Sequence, residues 1–330
     1  MSTPEPTVET RLATIAPSRE NRPILVTGAH RTGTTWVGKM LTASGEAAYI
    51  SEPLNVLHRP GVLNVPTKRW YTYICADNEA DYLSSFQDTL HYHYHIAAEV
   101  RTLHNRKDIM RMSRDAWIFI KGWIRHQRPL LKDPFAVFSI PWFIQRLGCQ
   151  VVVTVRHPAA FASSLKRLDW PFNFTDLLDQ PLLMRDWLEP YHTEMQEMLA
   201  TVNQDSSDIL AQASLLWRLV YQSVADMSQQ NPDIFVVRHE DLSTDPLSGY
   251  RDLYETLALR FTLQAQNTIL ASSSADNPKE VTQRDIYSTR LDSRANIHNW
   301  KKRLSADEIQ RVRQLTEDVA DHYYPDFNWD

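Results

Sequence analysis

The chain has 330 residues, which is long enough to bury a large hydrophobic core in one or two domains. Its formal net charge of -5 argues against a general nucleic-acid binder, because such proteins usually carry a basic surface. The two cysteines, Cys75 and Cys149, provide neither a disulfide framework nor a metal-ligand spacing, and they fit a reducing compartment. No apolar run reaches the length that a membrane span requires.

Residues 1–22 are predicted to form a disordered tail. They are rich in Ser, Thr, Pro and Glu, and they lack the apolar segment of a signal peptide. From residue 23 to residue 330 we find no repeat, no low-complexity linker and no clear boundary. We therefore predict a single domain in a soluble, cytoplasmic protein.

Short apolar runs alternate with helical patterns along the chain, which predicts a P-loop-like three-layer α/β fold with a parallel sheet between helices. The predicted strands are Ile24–Thr27, Ala47–Ser51, Leu130–Lys132, Val151–Val155 and Ile234–Val237. The predicted helices are Thr35–Ser44, Phe138–Leu147, Pro158–Leu168, Ala211–Gln229 and Ala306–Tyr323. Two aromatic-rich helical stretches, 69–115 and 169–210, are expected to cap the carboxyl edge of the sheet, where open α/β folds bind ligands.

A glycine-containing loop follows the first predicted strand. A strand, a glycine loop and a helix start form a phosphate cradle, because the loop amides and the positive end of the helix dipole face the anion. From Gly28 onward the loop matches the pattern G-x-x-x-x-G-K-[ST], except that Thr34 stands at the lysine position. With Arg31 as its only cation, the loop suits an anion but not a magnesium triphosphate.

Four sequence elements, in order along the chain, share the pattern of a known family. They are the loop Arg31-Thr32-Gly33-Thr34-Thr35 with Trp36 after it, Arg156 at a strand end with Ser164 eight residues later, the run His239-Glu240-Asp241-Leu242, and Arg294 ahead of Trp300-Lys301. From residue 23 to about residue 304 the chain therefore resembles the sulfotransferases that use 3′-phosphoadenosine-5′-phosphosulfate (PAPS). Each element alone is modest evidence, and the four in order argue against coincidence.

The resemblance implies how PAPS would be bound. The loop from His30 to Thr35 would hold the 5′-phosphosulfate end, and Trp36 would stack on the adenine. Arg156 and Ser164 would bind the 3′-phosphate, a group that the planar fork of arginine suits well. No metal is implied.

Two further positions follow from the same resemblance. His239 stands where many members have a tyrosine that contacts adenine, although a histidine buried in the core is an equal alternative. Arg294 represents the basic C-terminal element, a role that Arg290 or Ser293 could fill instead.

Sulfuryl transfer resembles phosphoryl transfer in outline, since an acceptor oxygen attacks in line while charge builds on the leaving oxygen. It needs a base for the acceptor hydroxyl and cations near the bridging oxygen. Arg31 is the cation of the loop, and Lys132 matches a lysine that family members point at the same place.

Glu52 is the predicted base. It ends the second predicted strand and precedes Pro53, and many carbohydrate-type members use the glutamate of such a pair as the base. The cytosolic aryl and steroid members instead use a histidine two residues after the lysine, where this chain has Pro134. We therefore expect a hydroxylated acceptor, either a small molecule or a glycan, and we favour a sugar over a small phenol.

Two other functions stay open. A P-loop kinase is disfavoured by Thr34 and by the shortage of a magnesium-binding carboxylate, for which Asp133 is the nearest candidate. A non-catalytic protein that binds PAPS or its desulfated product is disfavoured by Glu52 and Lys132, which stand at catalytic positions.

The run from His91 to His95 invites a metal-binding interpretation. On a helix His91, His95 and Glu99 would share one face, as zinc ligands can. No cysteine partner lies nearby, so we favour a polar helix face or a wall of the acceptor pocket.

Overall fold

A computed structural model describes residues 21–57, 59–202, 208–280, 288–326 and 329. Residues 1–20 of the predicted tail 1–22 lie outside these residues. Arg22 is described, and it pairs with Asp233 at 2.8 Å and donates to the carbonyl of Gly148. No helix among the described residues combines the length and the apolar character needed to cross a membrane.

Five parallel strands form the central sheet, which confirms the predicted fold class. They are β1 (Ile24–Thr27), β2 (Ala47–Ser51), β3 (Arg128–Lys132), β4 (Gln150–Val155) and β5 (Ile234–Arg238). Their order in the sheet is β2-β3-β1-β4-β5, and every pairing is parallel. β1 and β4 are buried along their whole length, as expected for strands that helices cover on both faces.

The helices flank the sheet and fill the connections between strands. The α-helices are α1 (Thr34–Leu41), α2 (Leu83–Leu90), α3 (Ile96–Val100), α4 (Arg106–Ile124), α5 (Ile140–Leu147), α6 (Pro158–Leu168), α7 (Thr175–Leu178), α8 (Pro181–Leu183), α9 (His192–Val202), α10 (Ile209–Gln230), α11 (His239–Thr244), α12 (Pro246–Thr256), α13 (Leu263–Ser273), α14 (Ser293–Ile297), α15 (Trp300–Arg303) and α16 (Ala306–Tyr323). Short 3-10 turns lie at Glu79–Asp81, Pro134–Ser139 and Glu189–Tyr191, and a π-helical turn lies at Met184–Leu188.

Alternate residues of each strand serve two separate cores. In β1, Leu25 packs into a core that contains side chains of α6, α10 and α16, whereas Ile24 and Val26 pack with α1, α12 and α13. This division follows from the two-residue period of a strand. Polar side chains therefore gather where the strands end.

The connection between β2 and β3 differs in one respect from its prediction. The predicted helical cap ends at residue 115, but α4 continues to Ile124. A capping box fixes the start of this helix. The Asn105 side chain accepts a hydrogen bond from the backbone amide of Asp108, and the Asp108 side chain accepts one from the backbone amide of Asn105.

Candidate active site

A cavity of about 720 Å³ lies at the carboxyl end of the sheet. The segment after each strand contributes to its wall, with His30 after β1, Glu52 after β2, Pro134 after β3, Arg156 after β4 and His239 after β5. This is the place where open parallel sheets bind their ligands.

The loop after β1 depends on two glycines. Gly28 has φ 135° and Gly33 has φ 99°, conformations that residues with a Cβ rarely adopt. A Cβ on Gly33 would also lie 2.7 Å from Nδ1 of His239. α1 begins directly after Gly33 and has no side-chain cap, so its first amides are free to bind an anion.

The threonines of this loop divide into two kinds. Thr32 is buried, and its hydroxyl donates to the carbonyl of Ala29 at 2.6 Å and contacts Thr154 Oγ1 at 2.8 Å. Its side chain therefore holds the loop in shape and does not line the cavity. Thr34 and Thr35, in contrast, both line it.

Trp36 and His239 form one wall of the cavity. The indole nitrogen of Trp36 donates to Ser272 Oγ at 2.9 Å, and the two rings meet edge to face with centroids 5.6 Å apart. Nδ1 of His239 is buried and has no hydrogen-bond partner in the described part of the chain. Burial and the nearby Arg156 lower the pKa of His239 to about 3, so its ring is neutral.

Arg156 also lines the cavity and contacts the glycine loop. Its Nη1 donates to the carbonyl of Arg31 at 3.2 Å, while its buried Nε has no partner among the described residues. Arg31 in turn directs its Nε toward Ser164 Oγ at 3.5 Å. The two predicted arginines thus share one groove.

Arg167 and Arg303 are two cations of the cavity wall that the sequence analysis missed. Burial lowers the pKa of Arg156, and the charges of Arg303 and Arg167 lower it further, although Glu240 opposes them. Glu280 pairs with Arg303 at 3.1 Å and offsets part of this charge, and an anion bound in the cavity would offset the repulsion among the three guanidinium groups further. Arg167 was detectable as the residue one helical turn after Ser164, and Arg303 as a neighbour of the Trp300-Lys301 pair.

Arg294 lies outside the cavity wall. It is exposed, and its Nε donates to the carbonyl of Thr244 at 2.9 Å. The preceding residue, Ser293, lines the cavity instead, because adjacent residues of a helix point about 100° apart. Of the alternatives for this element, Ser293 is the one at the cavity.

Glu52 and Lys132 form an ion pair at the ends of β2 and β3. Lys132 Nζ donates to Glu52 Oε1, and Asn55 Nδ2 donates to Oε2 at 2.6 Å. Burial acts to raise the pKa of Glu52, but the Lys132 ammonium and these hydrogen bonds outweigh it and hold the pKa below its usual value. Glu52 lines the cavity, whereas Lys132 is almost fully buried behind it.

Both carboxylate oxygens of Asp133 accept hydrogen bonds from backbone amides. Its Oδ2 accepts the amide of Leu54 at 2.6 Å, and its Oδ1 accepts the amide of Phe135 at 3.0 Å. Burial raises the pKa of Asp133 to about 7. Its oxygens are therefore poorly placed to hold magnesium, and no group of three His, Cys, Asp or Glu side chains in the described ranges could hold a metal ion.

Aromatic side chains surround His30 in another part of the cavity wall. Its Nδ1 lies 2.8 Å from the hydroxyl of Tyr71, and burial with the nearby Arg31 lowers the pKa of His30 to about 4. Trp70 packs on Phe135 with centroids 4.4 Å apart. This part of the wall carries few charges and suits an uncharged ligand.

The histidine run does not form the predicted helix face. α2 ends at Leu90, and Tyr92 adopts a φ of 61°, which breaks the helical path. His91 Nδ1 contacts the carbonyl of Gln87, and Glu99 accepts the amide of Gly61 at 2.7 Å. These side chains lie outside the cavity wall.

Known proteins similar to this chain are sulfotransferases. A family model described as the sulfotransferase family matches residues 23–262. Carbohydrate sulfotransferase 1 of Danio rerio is 29% identical over 201 residues, which cover 58% of this chain and 41% of that protein. The match thus spans less than half of the relative's length.

Solved structures of low sequence identity also match. The sulfotransferase domain from the curacin biosynthetic pathway is 16% identical, with 90% of this chain and 98% of that chain covered and a TM-score of 0.44. Sulfotransferase STF9 from Mycobacterium avium is 14% identical, with 95% and 78% covered and a TM-score of 0.46.

The family model covers well over half of the chain and includes all five strands and the loops that follow them. The match agrees with the resemblance seen in the sequence motifs. The chain therefore belongs to the sulfotransferase family.

Proposed function

We propose that the protein transfers the sulfuryl group of PAPS to an acceptor hydroxyl. The observation that carries this proposal is a single cavity whose wall contains both the glycine loop with Arg31 and three further arginines, Arg156, Arg167 and Arg303. PAPS carries negative charge at both ends of its adenosine, so it needs two such sites. Arg31 serves one end, and Arg156 with Arg167 and Arg303 serves the other.

In this proposal two buried polar atoms that have no hydrogen-bond partner among the described residues contact the nucleotide. The Nε of Arg156 is available to the 3′-phosphate, and Nδ1 of His239 is available to the adenine. Trp36 gives the base a rigid aromatic wall, because Ser272 fixes its indole nitrogen. The amides from Gly33 onward, with Thr34 and Thr35, face the 5′-phosphosulfate.

Glu52 is the proposed base. The acceptor oxygen bonds to sulfur as the sulfur–oxygen bond to the 5′-phosphate breaks, and the hydroxyl proton goes to the Glu52 carboxylate. The products are a sulfate ester and 3′,5′-adenosine bisphosphate. Lys132 keeps Glu52 ionised before the reaction, and Arg31 lies where charge develops on the leaving oxygen.

The acceptor is proposed to be a carbohydrate or another polyhydroxylated molecule. Trp70, Trp170 and Phe172 offer ring faces on which a sugar stacks. Asn55 and Asp176 line the same region and supply hydrogen-bonding groups for hydroxyls. The name of the Danio rerio relative agrees with this choice.

We further propose that residues 23–330 form one domain, with 69–115 and 169–210 as caps over the cavity. Trp70 and Trp170, one from each cap, line the cavity and support this arrangement. A reducing, cytoplasmic compartment is proposed because Cys75 and Cys149 are both free thiols.

Nucleotide binding tests the proposal. We expect 3′,5′-adenosine bisphosphate to raise the melting temperature without magnesium, whereas ATP with magnesium does not. The Arg156→Ala variant should lose most of this shift, and Arg294→Ala, its control outside the cavity, should retain it. The reverse nucleotide preference would favour a kinase. Labelled PAPS with a panel of hydroxylated acceptors then separates a transferase from a protein that binds the nucleotide without turnover.

A further inference from the structure

Helix α4 exposes an apolar face to solvent. Three of its side chains, Met110, Trp117 and Trp123, are 72%, 63% and 65% exposed. Ile109, Ile120 and Ile124 are exposed as well and follow at helical spacing on the same side. Contiguous apolar surface of this kind marks an interaction site rather than chance exposure.

The same helix buries a different side against the protein. Asp115, Phe119 and Gly122 are its buried residues, and Asp115 pairs with Arg59 at 2.6 Å. An amphipathic helix of a globular protein normally turns its apolar side inward. Here the apolar side faces outward, so the packing of the domain does not account for it.

Basic side chains border one edge of the exposed face. Lys107, Arg114 and Lys121 recur every seven residues and thus line up along the helix, and Arg125 adds one turn more. They are exposed or half-buried. The edge is therefore positively charged in a protein whose formal net charge is -5.

The carboxylates of α4 are both engaged. Asp108 closes the capping box and contacts Arg111 at 3.1 Å, and Asp115 is held by Arg59 on the buried side. No acidic side chain of this helix is thus free on the apolar face. Two copies that meet antiparallel through α4 about a two-fold axis would bring the positive edges together without a counter-charge.

We propose that this face docks on the surface of a lipid bilayer that contains anionic lipid. The tryptophans and isoleucines enter the interface, and the basic edge contacts the negative headgroups, as in other helices that lie in the plane of a membrane. Anionic lipid supplies the counter-charge that a second copy of the chain lacks. This inference goes beyond the proposed transfer reaction and does not depend on it.

Co-sedimentation with vesicles tests the docking. We expect the full chain to bind vesicles of phosphatidylcholine with phosphatidylglycerol, to bind phosphatidylcholine alone much more weakly, and to detach as salt rises. Removing both tryptophans (Trp117→Ser with Trp123→Ser) or two charges (Lys107→Gln with Arg125→Gln) should weaken binding roughly tenfold.

Matched controls make the same kinds of substitution at exposed positions outside α4. Leu263→Ser removes an exposed apolar side chain of α13, and Lys68→Gln removes an exposed charge, and neither should alter vesicle binding. Melting temperature establishes that each variant is folded. Since the changed residues lie outside the cavity wall, nucleotide binding should remain at the wild-type level in all of them.

Three results would overturn the proposal. The first is equal binding by the wild type and the α4 variants, and the second is no binding of the folded wild type to anionic vesicles. The third is a dimer in sedimentation velocity that the tryptophan changes dissociate, because a second copy would then cover the face.

Discussion

Three residues of the cavity wall adopt left-handed backbone conformations without being glycine. Arg31, Glu52 and Tyr71 have φ of 68°, 50° and 56°. Such conformations cost about 1–3 kcal/mol each and persist only where the surroundings fix them. Here Arg156 donates to the carbonyl of Arg31, Glu52 donates its amide to the carbonyl of Lys132, and Tyr71 contacts His30. The strain coincides with the proposed loop cation and base.

The Glu52→Gln variant tests the base directly. Glutamine keeps the size of the side chain but cannot take a proton, so we expect transfer from PAPS to fall by about 10²–10⁴-fold. Binding of 3′,5′-adenosine bisphosphate, measured by calorimetry, should remain. Glu46→Gln is the matched control, because Glu46 precedes the same strand at its other end and pairs with Arg260 far from the cavity. Transfer near the wild-type rate in Glu52→Gln would remove this residue from the mechanism.

Among single residues, the sequence predicts those site residues that lie close together along the chain. The loop around Arg31 was predictable because its glycines and hydroxyls lie within a few positions. Arg303 had only its closeness to the Trp300-Lys301 pair as a signal, since it comes from a distant helix and joins the cavity wall only through tertiary packing. Arg294 was assigned to the site from the family resemblance, as the basic residue ahead of Trp300-Lys301. The structure places Ser293 at the cavity instead, and Arg294, the next residue of the helix, points away from it.

At the element scale the pairing of strands brings the catalytic candidates together. In the register of β2 and β3, Ser51 lies opposite Lys132, so the next residue, Glu52, emerges beside the lysine. The strands themselves were predictable from their apolar runs. The order of the strands in the sheet was not predictable, because the sequence of a run such as Ala47–Ser51 does not indicate which strand it pairs with.

Asp133 joins the segments that leave β2 and β3, and its removal should destabilise both. Its two oxygens accept two buried amides, those of Leu54 and Phe135. Asparagine offers a single acceptor oxygen, so Asp133→Asn leaves one buried N–H unpaired. We expect the free energy of unfolding in urea to fall by about 1–3 kcal/mol at neutral pH. The exposed Asp276→Asn is the control, and equal stability of the two variants would contradict this role.

The connections between strands were predicted less well than the strands. The run His91 to His95 was assigned to a polar helix face or a wall of the acceptor pocket, but it lies in the connection between α2 and α3, where the chain turns at Tyr92. Because tyrosine is tolerated in helices, the helix propensity of Tyr92 does not predict this turn. The turn is instead fixed by a tertiary hydrogen bond from its hydroxyl to the carbonyl of Gln127 at 2.8 Å.

For the whole molecule, buried histidines set the response to acid. Burial is the main cause that lowers the pKa of His30 to about 4 and those of His157 and His239 to about 3. An unfolded histidine has a pKa near 6.5, so below that pH the unfolded chain binds more protons and stability falls. Asp133 acts oppositely, because its folded pKa of about 7 exceeds the value of 3.8 for a free side chain. Burial also raises the pKa of Glu240 and of Asp176, and these two carboxyl groups act in the same direction as Asp133.

Each fully shifted group changes stability by about 1.4 kcal/mol per pH unit, and the three histidine pKa values all lie well below the unfolded value. We therefore expect the melting temperature to drop as the pH falls from neutral toward 4. His157→Phe, which keeps an aromatic ring against Trp300, should reduce this dependence, whereas replacing the exposed His126 should not. A melting temperature that is constant or rises over this range would contradict the assignment.

The cavity is completed by chain that lies beyond the family match. Ser272 fixes Trp36, Arg303 adds to the guanidinium cluster, and the hydroxyl of Tyr324 holds the Glu240 carboxylate, whose other oxygen accepts the amide of His157. A fragment trimmed at residue 262 for crystallisation, or cut there for fusion to another enzyme, would keep every strand of the sheet. It would nevertheless lose Ser272, Arg303 and Tyr324, and with them part of the wall that we propose binds the adenine and the 3′-phosphate, so the boundary for such engineering lies after the last helix.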